Sequence, residues 1–539
     1  MDTRTDLVFS ELPDDPITLR EMVVSLSSEK KELEKERDRL EHIAAYLQGQ
    51  LNILIAKRFG QSSEKAPPEV NSMGMWQPSL FDEAETTVAA SPDEDETEED
   101  APSQNSKPRK KKPGRKPLPP SLPRVDVVHD LPESEKVCAL DGSTLVEIGR
   151  ECSEQLDIIP AKVQVIRHVQ IKYGCPHCHQ GVKTTPMPPR ILPKALASAA
   201  MLAHVVVSKY ADGLPLYRQS GILVRAGIDL PRSTLANWMI KAGQAVQPLV
   251  NLLQDHLLAY SVIQMDESTV QVLKEPNRLA TSDSYMWVRK GGPPDKPIIL
   301  FDYDASRGGS VPKELLSGYE GYLQTDGYAG YLSVGADPKI IHVGCFAHAR
   351  RKFDEAIKSL GKDGKKNPGK AGIALVFIGR LYGIEKKLRE AKATPEERFE
   401  TRLVEAKPIL DELKVWADAT ILTIPPKTAL GNALSYLLNH WVRLIRYLDD
   451  GRLEIDNNGV ENAIRPFVIG RKGWLFSDTV HGVKASANLY SLIETAKANG
   501  LEPFAYLRHL FTQLPTATTV DDYEQLLPWN VDKAALSTD

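Results

Sequence analysis

The stretch "YSVIQMDESTVQV", residues 260–272, decides the fold. It follows a helical run that ends near 258. Its β-branched, apolar "SVIQMDE" reads as a strand that delivers Asp266 at or just past its centre. Two more strand candidates follow, "SYMWVRKG" (284–291) and "PIILFDYDAS" (297–306). Next comes "GYLQTDGYAGY" (321–331), a strand ending in Asp326 before a Gly-Tyr turn. "KIIHVGCFAHARRKFDEA" (339–356) then reads as strand into helix.

Three consecutive strands, a strand bearing a second acid, then strand–helix alternation is the order expected of a ribonuclease-H-like fold. There, adjacent central strands set two aspartates side by side. Two carboxylates that close repel and raise each other's pKa, a cost that a divalent cation removes. Hard oxygen ligands with open water positions suit magnesium or manganese, and a third acid from a helix completes a site for two ions. Glu461 in "EIDNNGVENAIRPFVIGRKGWLFS" (454–477) is placed for that role. It opens a helix after a "DNNG" turn, Asn457 or Asn458 can cap the helix start, and Arg465 lies one turn on along the same face. Arg465, Arg471 and Lys472 are candidates for holding phosphates, and Trp474 for core packing or for stacking on a base. Glu267, Asp302 and Asp304 show that a strand end also carries acids by chance.

The surplus between Asp326 and Glu461, about 360–450, is rich in amphipathic helix and reads as an insertion in a catalytic domain spanning 251–484, with a helical region 485–539 after it. His342, Cys345 and His348 resemble a metal cluster, but Cys345 reads better as the end of a buried strand. His348, Arg350 and Arg351 then begin a helix and can face phosphate.

Upstream, leucines at 19, 26, 33, 40, 47 and 54 keep a seven-residue period in a charged stretch lacking proline and, until Gly49, glycine. So narrow a stripe needs a partner helix, which predicts a coiled coil over 17–58 and a homo-oligomer, most simply a dimer. Residues 59–125 lose periodicity and read as a flexible linker. It holds an acidic tract, "SPDEDETEEDAPSQ", and a basic one, "KPRKKKPGRKPLPPSLP", in which Lys110 and Arg115 are candidates for the DNA minor groove.

Residues 126–190 suggest a zinc-ribbon-like β domain, with strands "RVDVVHDL", "EQLDIIP" and "AKVQVIRHVQIKYG". Cys175 and Cys178 form one intact knuckle. The other offers Cys138 with Asp141 where a thiolate is usual, and His177, His179 or Cys152 are alternative ligands. Residues 191–250 are helical. Within them "LPLYRQSGILVRAGIDLPRSTLANWM" (214–239) has the pattern of a helix-turn-helix, its second helix opening near Ser233 or Thr234. Leu235 and Trp238 face the first helix, and Arg232, Ser233 and Asn237 become candidates for DNA contact.

The whole is thus expected to be a multidomain α+β chain. Its 67 basic and 72 acidic residues give a net charge of −5, so any nucleic-acid reading rests on local patches rather than on global basicity. Five cysteines suit a reducing compartment. No apolar run is long enough to span a membrane and the N-terminus lacks a signal-peptide pattern, so a cytoplasmic, nucleoid-associated location is expected.

Taken together, "KRFGQSSEK", "GRKPLP", "KYGCPHC", "YADGLPLYRQ", "QMDES", "TDGYAGY", "HVGCFAHARRKF" and "DNNGVENAIRPFVIGRKGWLFS" resemble, in order, the insertion-sequence-66 family of bacterial transposases over nearly the whole chain. The resemblance implies an Asp-Asp-Glu enzyme with its triad on Asp266, Asp326 and Glu461 and two magnesium (or manganese) ions. It implies double-stranded DNA partners, namely the element's terminal inverted repeats and target DNA, and element-encoded accessory proteins. Asp141 departs from the family's zinc knuckle. The rival reading is a non-catalytic DNA-binding repressor of the element.

Overall fold

A computed structural model describes residues 15–59, 124–125, 163–174, 182–361 and 366–536. Cys138, Asp141, Cys175 and Cys178, like Lys110 and Arg115, lie outside the described residues.

The chain starts with one long helix, α1 (Pro16–Phe59). Its leucines 26, 33, 40, 47 and 54 are all more than half exposed, so the heptad stripe is uncovered in the single chain. Near its end Asn52 donates to the Ser359 carbonyl at 2.8 Å, tying α1 to the main body. Residues 90–185 form a compact unit of their own, in which β1 (Lys172–Gly174) and β2 (Val182–Thr184) pair antiparallel. The strand expected over 161–174 is observed only at its end, where β2 supplies a partner. Residues 163–171 have no regular secondary structure, and Val165 is 94% exposed.

The main body begins with four helices: α2 (Ala199–Tyr210), α3 (Leu216–Arg225), α4 (Arg232–Ala245) and α5 (Gln247–Leu258). The α3–α4 pair has the expected turn, with Gly227 at φ +81° and Ile228 N–H returning to the Leu223 carbonyl. The start of α4 differs from expectation. It opens at Arg232 behind Pro231, with no side-chain cap, because proline's fixed φ already sets the first turn. Leu235 and Trp238 are buried.

Strands β3 (Val262–Lys274), β4 (Asp283–Gly291), β5 (Ile298–Asp304), β6 (Gly321–Gln324) and β7 (Ile340–Val343) form a mixed sheet in the order β5-β4-β3-β6-β7. The short helix α6 (Ser310–Leu315) lies between β5 and β6 in the chain. β3–β4–β5 run antiparallel, while β6 joins β3, and β7 joins β6, in parallel. After β7 come α7 (Phe346–Ser359) and the insertion, α8 (Gly369–Glu390), α9 (Pro395–Thr401), a π-turn at Arg402–Ala406, α10 (Lys407–Ile421), α11 (Ala429–Asn439) and α12 (Trp441–Ile445). The insertion has its own buried cluster, built with α7 around Phe353, Ile378, Leu413 and Leu437.

Next are α13 (Asn458–Trp474), β8 (Ser477–Thr479), which pairs with the far end of β3, and α14 (Val480–Ala498). Helices α15 (Pro503–Gln513), α16 (Val520–Gln525) and α17 (Lys533–Leu536) close the chain. The helices of 199–258, the sheet, α13 and α14 share one buried cluster, so the helix-turn-helix segment is packed into the body that carries the sheet. α14 covers the edge strand β5. Ser491 and Thr495 accept from the Phe301 and Ile299 N–H groups at 2.8 and 3.0 Å, which satisfies an edge that would otherwise be open to pairing.

Candidate active site

Register brings the two acids level, although β6 ends at Gln324 and Asp326, expected at the strand's end, lies two residues past it. In the β3–β6 pair Gln264 stands opposite Gln324, so Asp266 and Asp326 each lie two residues beyond matched positions. Val262, Gln264 and Asp266 share one face of β3, because side chains alternate along a strand. The third acid arrives from α13. Glu461 is in its first turn, and the helix start is bound to β3 by Asn457, whose Nδ2 donates to the Met265 carbonyl at 2.9 Å. The expected capping by Asn457 or Asn458 is thereby corrected. Asn457 stands at the cap position with its side chain committed to β3, and Asp456 accepts from Asn458 N–H at 3.0 Å instead.

The three acids are less fully compensated than their neighbours. Glu267 points to the opposite face, where Arg307 at 2.6 Å and the Tyr331 hydroxyl satisfy it. Asp302 pairs with the buried Arg289 at 2.9 Å, and Asp304 accepts from Ser306 N–H. Asp266, in contrast, accepts from the adjacent Glu267 N–H, and Asp326 from Tyr328 N–H. Glu461 Oε1 is buried with no hydrogen-bond partner, 3.7 Å from His348 Nδ1, itself an orphan, while Oε2 lies 3.7 Å from Arg351.

The electrostatics follow. Burial, then the Glu267, Glu461 and Asp326 carboxylates, push Asp266 well above the usual carboxylate range. Burial raises Glu461 too; Arg351 opposes the shift, and Asp456 and Asp326 add to it. Burial and Arg351 hold His348 down at about 4, so its ring is neutral at pH 7. A partly buried group of mutually repelling carboxylates with an orphaned oxygen is what a hard divalent cation relieves, so the residues present fit such an ion. Among the described residues, the group of three ligand-type side chains with donor atoms within 4.8 Å of one another is Cys345, His348 and Glu461. Cys345 is buried at the start of α7, its sulfur accepting from Asn457 N–H. His342 stands apart from that group, paired with Thr325 at 2.8 Å.

The basic candidates fall into two groups. Arg351 of α7 and Arg465 of α13 are half-buried near Glu461, and half-buried Arg350 lies on the side of Tyr382. Arg471 donates to Thr269 and Ser268 at 2.9 and 3.3 Å along β3, beside the exposed Lys472. Arg232, Ser233 and Asn237 are exposed on α4. Trp474 packs edge-on against Phe467 at 5.7 Å, with the Lys209 ammonium over its ring, a core position. Asp456 escaped the sequence reading. It is linked to the insertion by the Tyr382 hydroxyl at 2.8 Å, and its signal was only its place in "DNNG".

Comparison with known proteins agrees along the chain. Residues 194–485 match the model of the transposase IS66 family, and 491–529 that of the IS66 C-terminal element. Residues 135–179 match the zinc-finger binding domain of transposase IS66, and 46–127 a model described as transposase C of IS166 homeodomain. Among relatives, the uncharacterized protein y4jD of Sinorhizobium fredii is 34% identical over 77% of this chain and 81% of its own length. The uncharacterized protein y4qI of the same organism is 30% identical over 98% of this chain and 99% of its own.

Proposed function

The chain belongs to the IS66 family of transposases, and on that premise we propose that it is the enzyme itself: it binds the element's terminal repeats, cleaves there and joins the freed end to target DNA. The sheet order β5-β4-β3-β6-β7 supports a ribonuclease-H-like catalytic fold. The observation that carries the reading is the level placement of Asp266 on β3 and Asp326 just past the end of β6, with a partly buried Glu461 whose Oε1 has no hydrogen-bond partner.

These three carboxylates would hold two magnesium or manganese ions, which supply charge neutralisation and activation of oxygen at the phosphodiester. The residues around them do the rest. Arg351 and Arg465 flank Glu461 and, with Arg350 on the same helix as Arg351, neutralise phosphate oxygens of the scissile strand, while Arg471 and Lys472 extend that basic track along β3. Neutral His348 offers a hydrogen bond without adding positive charge. A water oxygen attacks the phosphodiester at the element end and releases a 3′ hydroxyl, which attacks target DNA in a second displacement. Chemistry of this kind asks the protein mainly for positioning and electrostatic complementarity.

The remaining regions supply recognition and assembly. The zinc-finger region would hold zinc through Cys138, Asp141, Cys175 and Cys178. Arg232, Ser233 and Asn237, with the basic linker at Lys110 and Arg115, would contact end DNA, and α1 would join two chains. A divalent-metal-dependent nicking assay on end-bearing DNA tests the reading. The proposed enzyme shifts and cuts the DNA, whereas a non-catalytic repressor of the element shifts it and leaves it whole.

A further inference from the structure

We infer that Gln264 and Gln324 form a clasp that sets the spacing of the three acids, as positioning residues for the ions those acids would hold; this rests on reading Asp266, Asp326 and Glu461 as the metal-binding trio.

Each strand acid is preceded by the same spacing: Gln264-Met265-Asp266 and Gln324-Thr325-Asp326. The strand period puts Gln264 on the face of Asp266, one step deeper, Gln324 is the last residue of β6 two before Asp326, and register sets the two glutamines directly opposite each other. They are 7% and 0% exposed. A buried carboxamide is costly unless bonded, and an apolar pair would fill this space as well. The bonds the amides make explain their presence. Gln264 Nε2 donates to Gln324 Oε1 at 2.9 Å and to the Asp456 carbonyl at 3.3 Å. Gln324 Nε2 donates to the Glu454 carbonyl at 2.6 Å and the Gly344 carbonyl at 3.3 Å. The chain of bonds runs from β3 to β6 and ends on the segment that enters α13.

That segment is where spacing matters. Asp456 lies five residues before Glu461, so one bonded unit fixes the separation of the strands and the distance from them to the helical acid. Gly459 is part of the device. A Cβ there would stand 2.4 Å from Gln264 Oε1 and 2.7 Å from Lys290 Nζ, so any other residue would push the amide from its place. Groups that orient ligands in this way are worth about 10- to 100-fold in metal affinity.

The test uses the full-length, zinc-replete chain and manganese as the probe, with binding read from the electron-paramagnetic-resonance signal of free Mn2+ and folding from circular dichroism. Gln264→Met and Gln324→Met are expected each to weaken Mn2+ binding about 10- to 100-fold, the double variant no further than the weaker single, because the amides act as a unit. Gly459→Ala, which removes no hydrogen-bonding group and favours helix, should weaken binding while the thermal transition holds. Mn2+ binding within about threefold of the parent in folded glutamine variants, or in Gly459→Ala, overturns the clasp. Asp266→Asn separates the two failures. If it binds Mn2+ like the parent, the trio reading fails and the clasp with it; if it loses Mn2+ while the clasp variants keep it, the clasp alone fails.

Discussion

Arg402→Met probes how the insertion holds the active-site helix. Arg402 sits at the π-turn, fully buried, and grips the equally buried Glu385 with two bonds of 2.7 and 2.8 Å. Its remaining donors reach the Tyr447, Asp450 and Leu453 carbonyls at 2.9, 3.1 and 2.8 Å. Those carbonyls belong to the chain that leads to α13. Removing the arginine takes both short bonds from the buried carboxylate, leaving it only Arg398 at 3.4 Å, and takes a donor from three carbonyls, of which Leu453 keeps Arg398; together these losses cost about 3–5 kcal/mol. We therefore expect a loss of about 4 kcal/mol in urea unfolding, and faster hydrogen exchange in residues 447–457. Arg402→Met/Glu385→Leu should recover much of the loss, since an apolar pair of similar volume is tolerated where a lone charge is not. Destabilisation below about 1 kcal/mol, or a double variant as unstable as the sum of the singles, would refute the reasoning.

Three further outcomes follow from the same structure. Because the folded pKa of Asp266 is raised, its contribution to stability is fully present below the ordinary carboxylate pKa and is lost as pH rises through the raised value. In a metal chelator, the melting temperature should fall across that window, and Asp266→Asn should flatten the fall; an unchanged profile contradicts it. In Leu33→Glu/Leu40→Glu each lost leucine forfeits about 1.5–3 kcal/mol of burial, so sedimentation should show a dimer dissociation constant raised by about a thousandfold or more; an unchanged constant removes α1 as the interface. Purified protein should carry one zinc ion per chain, and stripping it should abolish the cooperative unfolding of the zinc-finger region; protein purified without zinc would show that Asp141 breaks the site.

Much of the fold was legible because the strands announce themselves. The apolar runs around Asp266, at 284–291, at 297–306 and before Asp326 each became a strand, and "HVGCFAHARRKF" became strand into helix. Adjacency of the acids was expected from strand order, and the parallel register of β3 with β6 is what makes it concrete. Three features were out of reach because they join residues distant in the chain. Asn457 spends its amide on the Met265 carbonyl rather than on a cap. Arg402 meets a loop some fifty residues on. Asn52 of α1 meets Ser359. α13 also runs on through Pro466 to Trp474, where local propensity would end it; its buried face of Val460, Ile464 and Phe467 outweighs the lost hydrogen bond.

Glu461→Gln tests, with the least change of shape, whether Glu461 is the third acid of a metal-dependent site. On DNA carrying the element end, with magnesium, the variant should bind the end like the parent while cleavage and strand transfer fall by about 1,000-fold or more, a loss of about 4 kcal/mol of transition-state stabilisation. Cleavage and strand transfer at the parent's rate would contradict it.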